Sequence, residues 1–147
     1  MNGKLSITSP AFKNGEAMPK KYSQYGENVN PPLDIAGIPA ETKTLALIMT
    51  DLDIPLGITI THWIMWNIPP TSRIEENTTA GIQGRNSRRK KAYMGPRPPF
   101  GTHRYLFEVY ALDTELSLDS DASRKDLEKA IENHVLAKGE LLGTYHR

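Results

Sequence analysis

The chain has no cysteine, which excludes disulfide staples and thiolate chemistry and fits a reducing compartment. It has no excess of charge of either sign: 18 basic residues stand against 17 acidic ones, for a formal net charge of +1. Nothing in that balance calls for a polyanionic partner, and nucleic acid is not expected. Long apolar runs are also missing. The longest aliphatic stretch surrounds "LALIM" and falls far short of a bilayer span, so stable membrane insertion is not expected. The N-terminal "MNGKLSITSPAF" has no apolar segment of the kind a secretory leader carries. Repeats and low-complexity segments are absent, as are GxSxG, HExxH and a glycine-rich loop of P-loop spacing. The expectation is one cytoplasmic domain over residues 1–147, with no metal, no cofactor and no assigned catalytic residue.

What is present is punctuation. Eleven prolines and eleven glycines break the chain into short apolar runs, which predicts a mainly β architecture. Candidate strands are Lys4–Ser9, Leu33–Ala36, Thr44–Asp51, Thr61–Ile68 and His103–Leu112, with a short last strand in "ELLGTY". One helix is expected over Ser123–Lys138, capped by Ser123 with Asp126 near its positive end, followed through Leu127, Ala130, Ile131, His134 and Val135, and stopped by Gly139.

Strand parity carries the functional inference, because alternate side chains share a face. Leu45, Leu47 and Met49 share parity with Asp51 and Asp53. Ile64, Trp66 and Ile68 share parity with His62. Phe107, Val109 and Ala111 share parity with His103 and Tyr105. If the first strand runs antiparallel to the other two, these polar ends meet at one edge of the core, with Arg104 and Glu108 facing away. A buried carboxylate and a buried imidazole are each costly alone and can satisfy one another. The plainer alternative is a structural Asp–His pair, or separate polar residues at strand ends. Against it stands "GPRPPFGTHRY" (95–105), whose three prolines stiffen the segment immediately before His103 and Tyr105. A connector has no need of such rigidity, whereas the wall of a binding pocket does.

These segments also carry a resemblance. "DLDIP" (51–55), "HWIMWNIP" (62–69) and "GPRPPFGTHRYLFEVYAL" (95–112) resemble the two signature regions of the phosphatidylethanolamine-binding protein family, which includes the Raf kinase inhibitor proteins. The short chain and the "HVLAKGELLGTY" ending are similar to its bacterial and archaeal branch. The resemblance implies an antiparallel β-sandwich with a large and a small sheet, and a small pocket for phosphate-like groups. It implies ligand-binding roles for Asp51, Asp53, Pro55, His62, Gly95, Arg97, Pro98, Pro99, His103 and Tyr105. Arg97 stands where relatives often carry a small residue or cysteine, and "SRRKKAYM" follows Asn86 where relatives are glycine-rich and aromatic.

Phosphate binding needs donors and positive potential. His62, His103 and Tyr105 offer ring N–H and O–H groups, and Asp51 is suited to orient a histidine. Three functional classes follow: a binding module for a phospholipid headgroup or phosphorylated small molecule, a regulator docking on a protein kinase or serine protease, and a hydrolase of phosphoesters acting through the Asp/His pocket. The Arg88–Lys91 run reads either as solvated surface or as a device that raises anion concentration near the pocket. Trp63 and Trp66 have opposite parity, so one belongs to the main core and the other under a helix, a second sheet or a partner subunit. Together with the dimers common among prokaryotic relatives, this leads to the expectation of a symmetric homodimer.

Overall fold

A computed structural model describes residues 3–147. Met1 and Asn2, which the single-domain expectation includes, lie outside the described residues. The strands are β1 (Gly3–Lys4), β2 (Ser6–Thr8), β3 (Leu33–Ala36), β4 (Thr44–Asp51), β5 (Ile60–Ile68), β6 (Arg73–Ile74), β7 (Ile82–Gln83), β8 (Thr102–Leu112) and β9 (Val135–His146), with one α-helix, α1 (Arg124–Ile131), before β9. The large sheet has the order β1-β9-β8-β4-β5-β7 and the small one β2-β3-β6. All pairings are antiparallel except β1 with β9. The β-sandwich with a larger and a smaller sheet is therefore as expected, and β4 does run antiparallel to both β5 and β8.

Two apolar clusters hold the layers together. Ile7, Leu33, Ile35 and Ile74 of the small sheet face Leu45, Leu47, Met49, Phe107 and Val109 of the large one. On the other face of the large sheet, Ala46, Ile48, Ile64 and Trp66 pack against Leu127 and Ile131 of α1. Strand β4 is thus covered on both sides, which explains why its run is almost continuously apolar.

The first predicted strand is split. Leu5 sits between β1 and β2, and the chain steps there from the large sheet to the small one. Gly139 makes the crossing feasible, since a Cβ at that position would strike the Leu5 carbonyl oxygen. Gly139 is therefore a strand residue and not a helix stop. Helix α1 begins as expected, with the reciprocal Ser123–Asp126 capping box. It ends at Ile131, well short of Lys138. Asn133 adopts φ 65°, a left-handed conformation that asparagine tolerates and that terminates helices. His134 and Val135 fit helical spacing by coincidence, and Val135 opens a twelve-residue strand rather than a short one. Trp63 belongs to the inter-sheet core. Trp66 lies under the chain's own helix, so the tryptophan spacing gives no ground for a homodimer.

Candidate functional site

Strand pairing places Asp51, the last residue of β4, directly opposite Tyr105 of β8. Both point to the inter-sheet side, as parity requires. His62 arrives there by a different route. Met49 pairs with Trp63 but Thr50 pairs with Thr61, so His62 is an extra residue in a β-bulge. Thr61 therefore faces the helix side, where Arg124 reaches both Thr50 and Thr61, while Trp63 faces the inter-sheet core. Ile64 and Trp66, which share parity with His62, line the helix face. The sequence expectation that His62 ends their face is corrected: the bulge turns its ring onto the opposite face, beside Tyr105, whose ring lies 5.2 Å away and edge-on.

The polar groups are almost closed from solvent: Asp51 is 5% exposed, and His62 and His103 are each 4% exposed. Both Asp51 oxygens are engaged. One oxygen accepts the Asp53 backbone N–H at 2.8 Å and the other lies 2.7 Å from His103 Nδ1. His62 Nδ1 lies 2.6 Å from the Met94 carbonyl oxygen. A carbonyl can only accept, so this nitrogen carries the proton. Burial holds the His62 imidazole below its ordinary range, against the opposing pull of the Met94 carbonyl and of the Asp51 charge. Burial, reinforced by the Asp51 carboxylate, pushes the Tyr105 phenol well up, so it stays a donor.

The proline loop is pinned from outside. Gly95 N–H donates to Asn28 Oδ1 at 2.7 Å, and Gln24 holds the Gly95 carbonyl through its side chain at 2.9 Å and the Pro96 carbonyl through its backbone at 3.0 Å. A Cβ at Gly95 would collide with the Tyr22 carbonyl oxygen, so only glycine allows the loop to lie this close. Arg147 grips the far end, its guanidinium 3.1 Å from the Pro99 carbonyl oxygen. Arg97 extends over the ring of Tyr25 at 5.8 Å.

These elements enclose a cavity of about 230 Å³, lined by Gln24, Asp51, Ile54, Ile60, His62, Ser87, Arg88, Met94, Arg97, Pro99 and Tyr105. A wider open groove of about 1010 Å³ runs beside β1 and β9. Its Lys138 is already paired with Glu108 at 2.8 Å.

The family model for the phosphatidylethanolamine-binding protein matches residues 8–146 of this chain. The chain belongs to that family. It is 47% identical to a UPF0098 protein of Pyrococcus horikoshii, over 98% of this chain and 78% of the relative. It is 42% identical to one from Methanothermobacter thermautotrophicus, over 97% of this chain and 99% of the relative. With a UPF0098 protein of Archaeoglobus fulgidus the identity is 46%, although the chain spans only 51% of that longer relative. Among solved structures, a putative phosphatidylethanolamine-binding protein homolog from Chlamydia trachomatis superposes with a TM-score of 0.93 at 37% identity, covering 99% of each chain. YbcL of Escherichia coli, described as a member of the mammalian PEBP family, superposes with a TM-score of 0.89 at 28% identity, again covering 99% of each chain. Relatives in this family support a binding protein and the sandwich fold. Among the described residues, no helix is long and apolar enough to cross a membrane.

Of the residues singled out in the sequence, Asp51, His62, Arg97, Pro99 and Tyr105 line the cavity. His103 stands behind Asp51 and is coupled to the cavity through it. Asp53 is a correction. Its carboxylate accepts the Arg104 backbone N–H at 2.7 Å and the Arg104 guanidinium at 2.9 Å, which holds it below the usual carboxylate range. Arg104 does face away from the core, as expected, and it takes Asp53 with it. Pro55 is exposed in the β4–β5 turn, while Gly95 and Pro98 are buried in the loop without lining the cavity.

Sequence reasoning missed Gln24, Ile54, Ile60, Ser87 and Met94, and noticed Arg88 only as part of a charge run. Asn86 was the available signal. Its side-chain oxygen accepts the Arg88 and Lys90 backbone N–H groups at 2.9 and 3.2 Å, and its amide donates to Ala92 O at 3.0 Å. This tight turn, with Arg89 at φ 62°, sets Ser87 and Arg88 at the cavity. Lys91 is directed elsewhere, to Asp121 at 2.8 Å.

Proposed function

We propose that this protein binds small phosphate-like anions, either the headgroup of a phospholipid or a phosphorylated small molecule. The anion occupies the cavity between His62, Tyr105, Arg88 and Arg97. The carrying observation is the imbalance of groups at that cavity. Asp51 is the one carboxylate that lines it and already accepts from His103 and the Asp53 amide, whereas Arg88, Arg97 and Tyr105 line the same small space. Arginine donors form strong charge-assisted hydrogen bonds to oxyanions, and a phenol adds a further donor. The pinned proline wall lowers the cost of ordering on binding. Isothermal titration calorimetry with inorganic phosphate tests the reading: His62→Ala should weaken binding by about ten- to a hundred-fold while the circular dichroism spectrum is retained. Binding unchanged in that variant would reject the assignment.

The mouth supports a second reading. Leu56 is 92% exposed and Phe100 68% exposed, on the two loops that carry Ile54 and Pro99 into the cavity wall. Large apolar side chains left open around a polar hole are the composition of a docking surface. A partner protein covering the mouth accounts for them, and the family resemblance points to a kinase or a serine protease. Pull-down with wild type against a Leu56→Ser/Phe100→Ser variant tests it, and equal recovery of partner by both would reject it.

A further inference from the structure

His62 is tied to Met94 twice. Its backbone carbonyl accepts the Met94 N–H at 2.9 Å, and its Nδ1–H donates to the Met94 carbonyl at 2.6 Å. The ring can neither rotate out nor exchange tautomers without leaving a carbonyl unsatisfied. A neutral His62 therefore has its lone pair on Nε2, on a ring that lines the cavity. That lone pair is an acceptor where a phosphate oxygen, itself an acceptor, needs a donor. The surroundings add to the conflict. From β4, Asp51 contributes a negative charge. From β8, Tyr105 contributes an edge-on ring and a phenol that remains protonated. Arg88 and Arg97 reach in from the two loops, and His103 lies behind Asp51.

We propose that this cavity takes an oxyanion only together with one proton, shared between a ligand oxygen and His62 Nε2. The inference rests on the anion-site reading above and adds to it the protonation state of the occupant. The proton has two sources. A phosphomonoester can bring its own, since its second proton leaves at about pH 6, and the bound pair is then ligand O–H with a neutral imidazole. A phosphodiester or sulfate has none to bring, so His62 must take one from solvent and donate it as an imidazolium. In both cases the complex holds one proton more than the bare anion and neutral His62 together. Burial keeps free His62 neutral at physiological pH, so capture of a permanent anion is coupled to proton uptake there.

The experiment is titration calorimetry of the full chain with sulfate at pH 7.5, in two buffers of different ionisation enthalpy, which counts protons taken up per anion bound. The expected count is about one, with affinity falling about tenfold per pH unit above neutrality. At pH 6, methyl phosphate should take up fewer protons from solvent than sulfate does, and equal uptake would overturn the shared-proton inference. His62→Gln places an amide donor near the Nε2 position, so sulfate should then bind with no proton uptake and with a flat profile between pH 6 and 8. Persistent uptake in that variant would place the proton elsewhere, on His103 for example, and overturn the inference. If His62→Gln does not fold, ¹⁵N NMR of wild type at pH 7.5 gives the same answer: sulfate should convert the His62 ring from neutral to imidazolium. Sulfate binding to wild type with no proton uptake refutes the proton coupling and leaves the anion site intact. No heat of binding with either sulfate or phosphate, with no change in the His62 resonances, refutes the anion site and the coupling with it.

Discussion

Replacing Asp51 tests whether the buried pair holds the end of the sandwich together. Its two oxygens serve two donors, the His103 ring at 2.7 Å and the Asp53 amide at 2.8 Å. Asp51→Ala removes the acceptor of both in a buried region, where each orphaned donor costs about 1–3 kcal/mol. The sum is about 2–6 kcal/mol, which brackets the roughly 3–5 kcal/mol seen when one partner of a buried pair is removed. Asp51→Asn is gentler. Its oxygen still receives the Asp53 amide, and its NH₂ faces His103 Nδ1. His103 can meet that donor by moving its proton to Nε2, which leaves a neutral hydrogen bond in place of a charge-assisted one, at a cost of about 1–2 kcal/mol. With a urea slope of about 2 kcal/mol/M, the unfolding midpoint should drop by about 2 M for Asp51→Ala and by less than about 1 M for Asp51→Asn. Equilibrium urea denaturation followed by tryptophan fluorescence reads both, because Trp63 and Trp66 are buried in the two apolar clusters. Equal losses in the two variants would refute the tautomer argument. A loss under about 1 kcal/mol in Asp51→Ala would refute the structural role of the pair.

Three further outcomes follow from the same geometry. Burial holds the folded-state pKa of His62 below its ordinary value of 6.5, so the unfolded chain binds more protons in the window between the two values. Stability should therefore be flat above pH ~6.5 and fall as the pH drops through that window, by at most about 1.4 kcal/mol per unit; thermal melts at pH 5 to 7 that give His62→Gln the same slope as wild type would remove His62 as the cause. Arg88→Ala should weaken phosphate binding about ten-fold or more and Lys91→Ala should leave it unchanged, because only Arg88 lines the cavity while Lys91 is tied to Asp121; equal losses in calorimetry would restore a diffuse basic surface. Gly95→Ala pushes a methyl group against the Tyr22 carbonyl oxygen and should cost about 1–3 kcal/mol, with anion affinity falling as the wall shifts; unchanged stability in urea would show that the loop has room to move.

Periodicity made much of this protein legible before any coordinates. Asp51 sits on an uninterrupted alternation in β4, and His103 and Tyr105 sit on one in β8. Period-2 side-chain direction is a local property of an extended backbone, so their common face could be read directly from the sequence. The prolines and glycines between the runs likewise announced a mainly β architecture, and Ser123 and Asp126 announced the start of the helix. His62 is the instructive contrast. Its direction depends on a bulge that exists only because β5 pairs out of step with β4, and no residue near His62 encodes that register. Asp53 shares parity with Asp51 yet leaves the cavity, because Arg104 of a strand fifty residues later offers it a bidentate partner. Gln24 and Asn28 reach the proline loop across some seventy residues, and the choice of Arg88 over its three basic neighbours follows from how Asn86 folds one turn. Local chemistry set which residues could form an anion site. Strand register and long-range hydrogen bonds, which depend on the whole chain closing on itself, decided which of them meet.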